Sequence, residues 1–272
     1  DGEKVTFTYN ESSKEFTANV NESVTLTDGL KAYYPAYDGE NFEMDLSQQT
    51  GQLNGATTYM EGVYEGDAFS FAHSTAILKA TFSGLQDATI SSVGIDVVAG
   101  ENSFQIAISQ PANDLYINLP AIATDGKLTF DVRTSDGTLY TATKTVAAEK
   151  VIQTGVYYNT IVALSPAPVC NLPTGGEFNA AVKTFLQSNS SLTKIKFVAN
   201  SDAATTKSDA NDENATEDYS YRLVAGSDNT LEIHTAAAEF VFNENCSGMF
   251  SYLTNIQSID FGNCVNTANV TN

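Results

Sequence analysis

Apolar and polar positions alternate with a period of two through most of the first 165 residues, the pattern of strands that bury one face. Such runs occupy 5–9, 15–20, 23–27, 30–34, 68–72, 76–82, 90–97, 104–108, 115–119, 128–132, 139–143 and 157–162. They are rich in β-branched and aromatic residues and are separated by Gly, Asp, Asn and Pro. Short, evenly spaced strands with almost no helical period predict an antiparallel β-sandwich. The pair around Ser135-Asp136-Gly137 is the clearest hairpin, because Asp-Gly readily adopts the positive φ that a tight turn requires.

The pattern changes after Leu164. Half of the chain's six prolines fall in Ser165-Pro-Ala-Pro-Val-Cys-Asn-Leu-Pro173, followed by Gly175 and Gly176, and this predicts a linker over 166–176. Phe178, Ala181, Val182, Phe185 and Leu186 then recur at helical spacing, giving one amphipathic helix. Beyond it the template L-x-x-L-x-L-x-x-N/C fits three times. The matches start at Leu192 with Ile195, Phe197 and Asn200, at Ala237 with Phe240, Phe242 and Asn245, and at Ile256 with Ile259, Phe261 and Cys264. The step from Ile195 to Phe240 is about two repeats of roughly 20–29 residues, and the step from Phe240 to Ile259 about one. Each match predicts a short strand facing a shared core, with the Asn or Cys turned inward. The helix is expected to cap the stack, and Ser247-Gly-Met-Phe-Ser-Tyr-Leu253 to form a short helix on its convex side. Arg222–Ala225 and Thr230–Ile233 flank Gly226-Ser-Asp-Asn229 and read as an inserted hairpin.

Two resemblances follow from particular phrases. Leu30-Lys-Ala-Tyr-Tyr-Pro35, then Tyr59-Met-Glu-Gly62, then Phe69-Ser-Phe-Ala-His73 with Ala76-Ile-Leu-Lys-Ala-Thr-Phe82, and finally Gly155-Val-Tyr-Tyr158, occur in the order in which fimbrillin-like proteins carry similar segments. This resemblance covers residues 1 to 165 and implies a transthyretin-like β-sandwich pilin domain. Ser247-Gly-Met-Phe250, Ser258-Ile-Asp-Phe261 and Asn266-Thr-Ala-Asn-Val-Thr-Asn272 resemble the BspA-type leucine-rich repeats of bacterial surface proteins. Ala268 stands where that repeat usually has Ser. The resemblance implies a small α/β repeat domain over 177–272 with an N-terminal capping helix, continuing past Asn272 with a further Met-Ser-x-Met-Phe phrase. The terminal strand is accordingly expected to fray or to be covered by a neighbour, since a stack needs about three repeats.

Composition narrows the function classes. Thirteen Lys and Arg against 33 Asp and Glu give a formal charge of −20, which repels nucleic-acid phosphates and anionic lipids. No apolar run approaches the roughly 20 residues of a membrane-spanning helix. Three cysteines, Cys170, Cys246 and Cys264, show neither CxxC nor Cys/His metal spacing, which points to thiols rather than a disulfide framework, with a Cys246–Cys264 bridge as the alternative. Histidine is limited to His73 and His234, with no nucleophile motif beside either, and no GxSxG, P-loop, HExxH or dinucleotide fingerprint is present.

The expectation is a non-enzymatic bacterial cell-surface adhesion protein without a cofactor. It would be tethered to the outer membrane by an N-terminal lipid anchor or built into a fimbria. Its partner would be a host or bacterial surface protein or a glycan, together with a fimbrial partner subunit. Alternatives are a carbohydrate-binding or glycan-processing surface lipoprotein, and a structural fimbrial subunit assembling by strand exchange. Lys194, Lys196, Glu239 and Asp260, on the repeat strands, are the expected partner contacts. Asp209, Asn211 and Glu213 offer alternating oxygen ligands to calcium, against a solvated acidic loop that lacks the turn Gly and closing Glu of an EF-hand. Tyr33, Tyr34 and Tyr37, with Asp38 and Asn41, make an aromatic platform conceivable, and alternation favours placing them in the sandwich core. His73 is expected to be a hydrogen-bonded structural residue.

Overall fold

The structure is a computed structural model and describes residues 5–13, 15–17, 25–35, 44–53, 59–85, 88–147, 149–201 and 221–271. It is mainly β, with several sheets and one helix among the described residues. Two compact units divide the chain: Asp1–Arg133 with Thr141–Leu164, and Thr134–Tyr140 with Ser165–Asn272.

In the first unit, β1 (Thr8–Asn10) and β2 (Glu15–Thr17) form a hairpin. A separate antiparallel sheet joins β3 (Lys31–Tyr34), β5 (Met60–Glu65) and β6 (Ala68–His73). Here Tyr34 stands opposite Met60 and Met60 opposite His73, so three segments of the fimbrillin-like resemblance meet in one row. Tyr33 is half-buried and Tyr34 is 46% exposed, and both lie outside the sandwich core, contrary to the alternation argument. The reason is that β3 pairs in this third sheet rather than in either main layer. His73 is exposed on the same sheet, and Tyr37, Asp38 and Asn41 lie outside the described residues. Gly62 lets the Phe71 ring lie against the backbone, since an added Cβ there would meet the ring at 2.8 Å.

The two main layers are built from strands whose alternation the sequence displays. One is the three-stranded sheet of β10 (Asp114–Leu119), β7 (Ala76–Ser83) and β13 (Tyr157–Ala163). The other runs in the order β14 (Ser165–Pro166), β12 (Leu139–Thr145), β11 (Lys127–Thr134), β8 (Ile90–Ala99), β9 (Asn102–Ile108) and β4 (Gln48–Gln49). Ala76, Leu78, Ala80 and Phe82 on β7 are buried, as are Leu128, Phe130 and Val132 on β11. Phe82 meets Phe130 edge-on at 5.9 Å, which packs one layer on the other in a β-sandwich arrangement. The expectation of a purely antiparallel sandwich fails at two pairs, because β13 runs parallel to β7 and β4 parallel to β9. Parallel pairing needs a long crossover, and the strands between β7 and β13 include the β11–β12 hairpin of the opposite layer.

In the second unit, the segment read above as a linker is folded: β14 joins a sheet, β15 (Val169–Asn171) joins another, and Cys170 and Leu172 are buried. Helix α1 spans Gly175–Ser188. Its N-terminus is held by Glu177, whose carboxylate accepts from the backbone N–H of Thr174 (3.1 Å) and from the Thr174 hydroxyl (2.6 Å). The predicted stripe faces inward, with Phe178 and Val182 buried and Phe185 and Leu186 packed against the core. Buried Asn179 donates from Nδ2 to the carbonyl oxygens of Met249 and Ser251.

The remaining strands are β16 (Lys194–Val198), β17 (Tyr221–Ala225), β18 (Thr230–Thr235), β19 (Glu239–Val241), β20 (Ser258–Asp260) and β21 (Val265–Asn266). The three template matches do not share one sheet. β16 and β20 pair in parallel within the order β17-β18-β16-β20, while β19 lies between β15 and β21. The place beside β16 is taken by β18, a strand of the predicted hairpin, which pairs with it in parallel over five residues. Of the residues expected to turn inward, Asn200 and Asn245 are exposed and only Cys264 is half-buried. Residues 247–252 form turns rather than a helix, since Gly248 (φ 75°) and Tyr252 (φ 57°) take left-handed conformations that break helical hydrogen bonding.

The Asp136 turn tests the local physics. Asp136 accepts from the Thr134 hydroxyl (2.6 Å) and the Thr138 N–H (3.0 Å), and Gly137 has φ 89°. The Thr134 hydrogen bond first, then that of Thr138, holds the Asp136 carboxyl below its ordinary value. A depressed folded-state pKa stabilises above the unfolded value and is lost as pH falls through the folded one. An Asp136→Asn variant should melt below the parent at neutral pH, and the gap should close on acidification past the usual carboxylate range, as read by thermal unfolding from neutral pH to about pH 2.

Candidate functional site

Because side chains alternate across a strand, the four-stranded sheet of the second unit has two unlike faces. Ile195, Phe197, Leu231, Ile233 and Tyr221 are buried on the inner one. Register places Val224, Glu232, Lys196 and Asp260 in one row across the outer face, with Thr230, Lys194 and Ser258 on one side of it and Arg222, His234 and Val198 on the other. Lys194, Lys196 and Asp260 are exposed. Among the described residues neither lysine is ion-paired. Lys196 stands between an acid on either side, opposite Glu232 and opposite Asp260, so the row alternates in sign. In a protein of charge −20, three of the thirteen basic side chains, Lys194, Lys196 and Arg222, share this face.

At the end of the face a hydrogen-bonded chain runs through His234. Ser201 Oγ lies 2.7 Å from Nδ1, and Glu232 Oε2 lies 2.9 Å from Nε2. The tautomer that satisfies both contacts carries its proton on Nε2, donates to Glu232, and accepts from the Ser201 hydroxyl. His234 itself is buried. The members match a nucleophile, base and acid, although the same geometry equally satisfies a buried imidazole that does no chemistry. Sequence reasoning missed Arg222, Glu232, His234 and Ser201. The hairpin was legible and its period-two pattern puts 222 and 224, and 230, 232 and 234, on common faces; what carried no signal was that β18 would dock beside β16.

Glu239 is not part of this surface. It sits on β19, is 2% exposed, and its Oε1 accepts from Asn266 Nδ2 at 3.2 Å. The sequence placed it outward by strand alternation, but all three residues of β19 are buried, because the strand is covered on both faces. Asp209, Asn211 and Glu213 lie outside the described residues. Among the described residues no group of three or more His, Cys, Asp or Glu is placed to hold a metal ion. Cys264 is half-buried, with its thiol pKa raised chiefly by desolvation, and Sγ donates to the Phe261 carbonyl oxygen at 3.4 Å. Among the described residues Cys170, Cys246 and Cys264 form no disulfide. A groove of about 200 Å³ is lined by Phe250, Leu253, Ile256, Gln257, Ser258 and Ile259, too small for a cofactor site.

Among the described residues no helix is long and apolar enough to cross a membrane. No family model and no curated protein matches the chain. Among solved structures it is similar to the crystal structure of "a putative cell adhesion protein from Bacteroides ovatus ATCC 8483", at 16% identity and a TM-score of 0.32, over 57% of this chain and 74% of that one. A likeness that weak establishes neither a family nor a function.

The placement of these residues separates surface from scaffold. Lys194→Ala and Lys196→Ala should leave urea unfolding within about 0.5 kcal/mol of the parent, as exposed substitutions do. Glu239→Ala, which removes a buried side chain and the hydrogen bond it accepts from the half-buried Asn266 amide, should cost about 1–3 kcal/mol in the same measurement.

Proposed function

We propose that this protein is a non-enzymatic adhesion protein of the bacterial cell surface or a fimbria, in which the second unit presents a partner-binding face. The observation that carries the reading is the outer face of the β17-β18-β16-β20 sheet. It offers exposed charges of both signs on a hydrogen-bonded sheet. Such a face suits a macromolecular surface better than a small molecule, and its charges steer association and select partners more than they add affinity. The resemblances to fimbrillin-like and BspA-type repeat proteins support the same reading, the first through the shared row of Tyr34, Met60 and His73. Fimbrillin-type assembly and a repeat domain that binds host or bacterial surface proteins or glycans are parts of this proposal.

Reversing both lysines, in a Lys194→Glu, Lys196→Glu variant, should abolish binding of the purified protein to bacterial or epithelial cells while the variant still unfolds cooperatively, at a melting temperature lowered only by the like charges set opposite Glu232 and Asp260. Unaltered binding would overturn the assignment of this face.

A second reading, a glycan-processing protein, is favoured by the Ser201, His234 and Glu232 contacts. It requires Ser201 Oγ to attack an acyl ester carried by a glycan while His234 Nδ1 takes its proton, with the sugar hydroxyl leaving and water then releasing the acyl group, so the processing is de-esterification. Labelling by a fluorophosphonate probe that disappears in Ser201→Ala, together with turnover on a glycan or acyl-ester panel, would establish it over adhesion. The adhesion reading expects no labelling.

A further inference from the structure

We propose that the open edge of β20 docks an extended peptide strand in which aliphatic residues alternate with lysine or arginine. The inference goes beyond the adhesion reading, because it concerns a sheet edge rather than the outer face and names the chemistry of the occupant.

β20 ends the four-stranded sheet: one edge pairs with β16, and the other has no strand partner among the described residues. Unpaired strand edges present backbone donors and acceptors that accept another strand. Burial declines from β16 toward this edge. Ile195 is 1% and Phe197 2% exposed, whereas Ile259 is half-buried and Phe261 is 38% exposed. The groove lined by Phe250, Leu253, Ile256 and Ile259 lies against the same strand and is open to solvent. An apolar side chain is therefore called for beside Ile259.

The charge of the occupant follows from the outer face. The row from Glu232 through Lys196 to Asp260 alternates in sign and stops at the edge on a carboxylate. The next position in that row is complementary to a cation, and the chain's charge of −20 attracts one at longer range. The protein supplies its own example on the paired side of β20. There β16 reads Lys194-Ile-Lys-Phe-Val198 and sets Ile195 opposite Ile259 and Lys196 opposite Asp260. A strand of the same alternation on the open side would place an aliphatic group toward the groove and a cation by Asp260. A second copy of this chain docking through its own β20 fits less well, because that strand offers no cation for Asp260.

The probe is a fluorescently labelled synthetic peptide with the sequence of residues 193–199, and the control is the same peptide with Glu in place of both lysines. Hydrogen exchange of the protein with each peptide reports where it binds. The wild-type protein should bind the Lys peptide and gain amide protection at 258–260, and the Glu peptide should bind about threefold to tenfold more weakly. Asp260→Lys, an exposed substitution, should reverse that preference. Loss of the preference with no protection at 258–260, or equal binding of both peptides to both proteins, would overturn the proposal. So would a dimer of the protein alone, seen by sedimentation, with 258–260 already protected. The cell-binding phenotype of the Lys194 and Lys196 reversal is a separate readout, so either result stands without the other.

Discussion

The second unit depends on the burial of one aromatic ring. Phe197, on the inner face of β16, lies 5.2 Å from Phe240, 5.5 Å from Phe261, 6.1 Å from Phe242 and 6.2 Å from Phe178. These partners come from the helix, from the three-stranded parallel sheet and from the end of β20, so a single side chain joins every layer of the unit. Aromatic pairs in edge-to-face or tilted contact add to plain area burial, and they fix orientation because the ring quadrupoles prefer those angles. With Phe197 in place, β16 is held at the centre of its sheet with β18 on one edge and β20 on the other. That placement sets Glu232, Lys196 and Asp260 in a row. The charged outer face is thus a by-product of how the inner face packs.

The first unit rests on a different constraint, the matching of two alternating faces across a sandwich. Strands β7, β10 and β11 bury every second residue, and the contact of Phe82 with Phe130 joins the layers. The β3-β5-β6 sheet is less well buried. Among its aromatic residues Phe69 packs against both Tyr64 and Phe71, and Phe71 remains 41% exposed. Polar groups on that sheet compensate in part, through the ion pair of Lys31 with Glu61 at 2.7 Å, an exposed contact of small energetic weight.

Strand ends and edges are where scaffold and function meet in this molecule. Central strands such as β7 and β16 spend their backbone hydrogen bonds on two neighbours. Terminal strands such as β20 and β21 spend theirs on one, and the apolar residues beside them are correspondingly less covered. Buried polar groups show the opposite economy: Asn179 gives two hydrogen bonds to the 249–251 turn, and Glu239 receives one from Asn266, which removes both from any surface role.

What the sequence determined by itself was local. Period-two alternation located strands such as β7 and β11, helical spacing located α1, and Asp136-Gly137 located the hairpin, because each signal is carried by residues within one element. The lysines of β16 and Asp260 were legible as outward positions for the same reason. Tertiary structure decided what depends on partners distant in the chain. It sent β19 to a different sheet from β16 and β20, buried Glu239, left Tyr34 in the light, and folded the proline-bearing segment into β14 and β15. It also brought Ser201, His234 and Glu232 together by docking β18 beside β16. A strand's pattern states which face is apolar; which neighbour covers that face is settled by packing across sequence separations that no local pattern records.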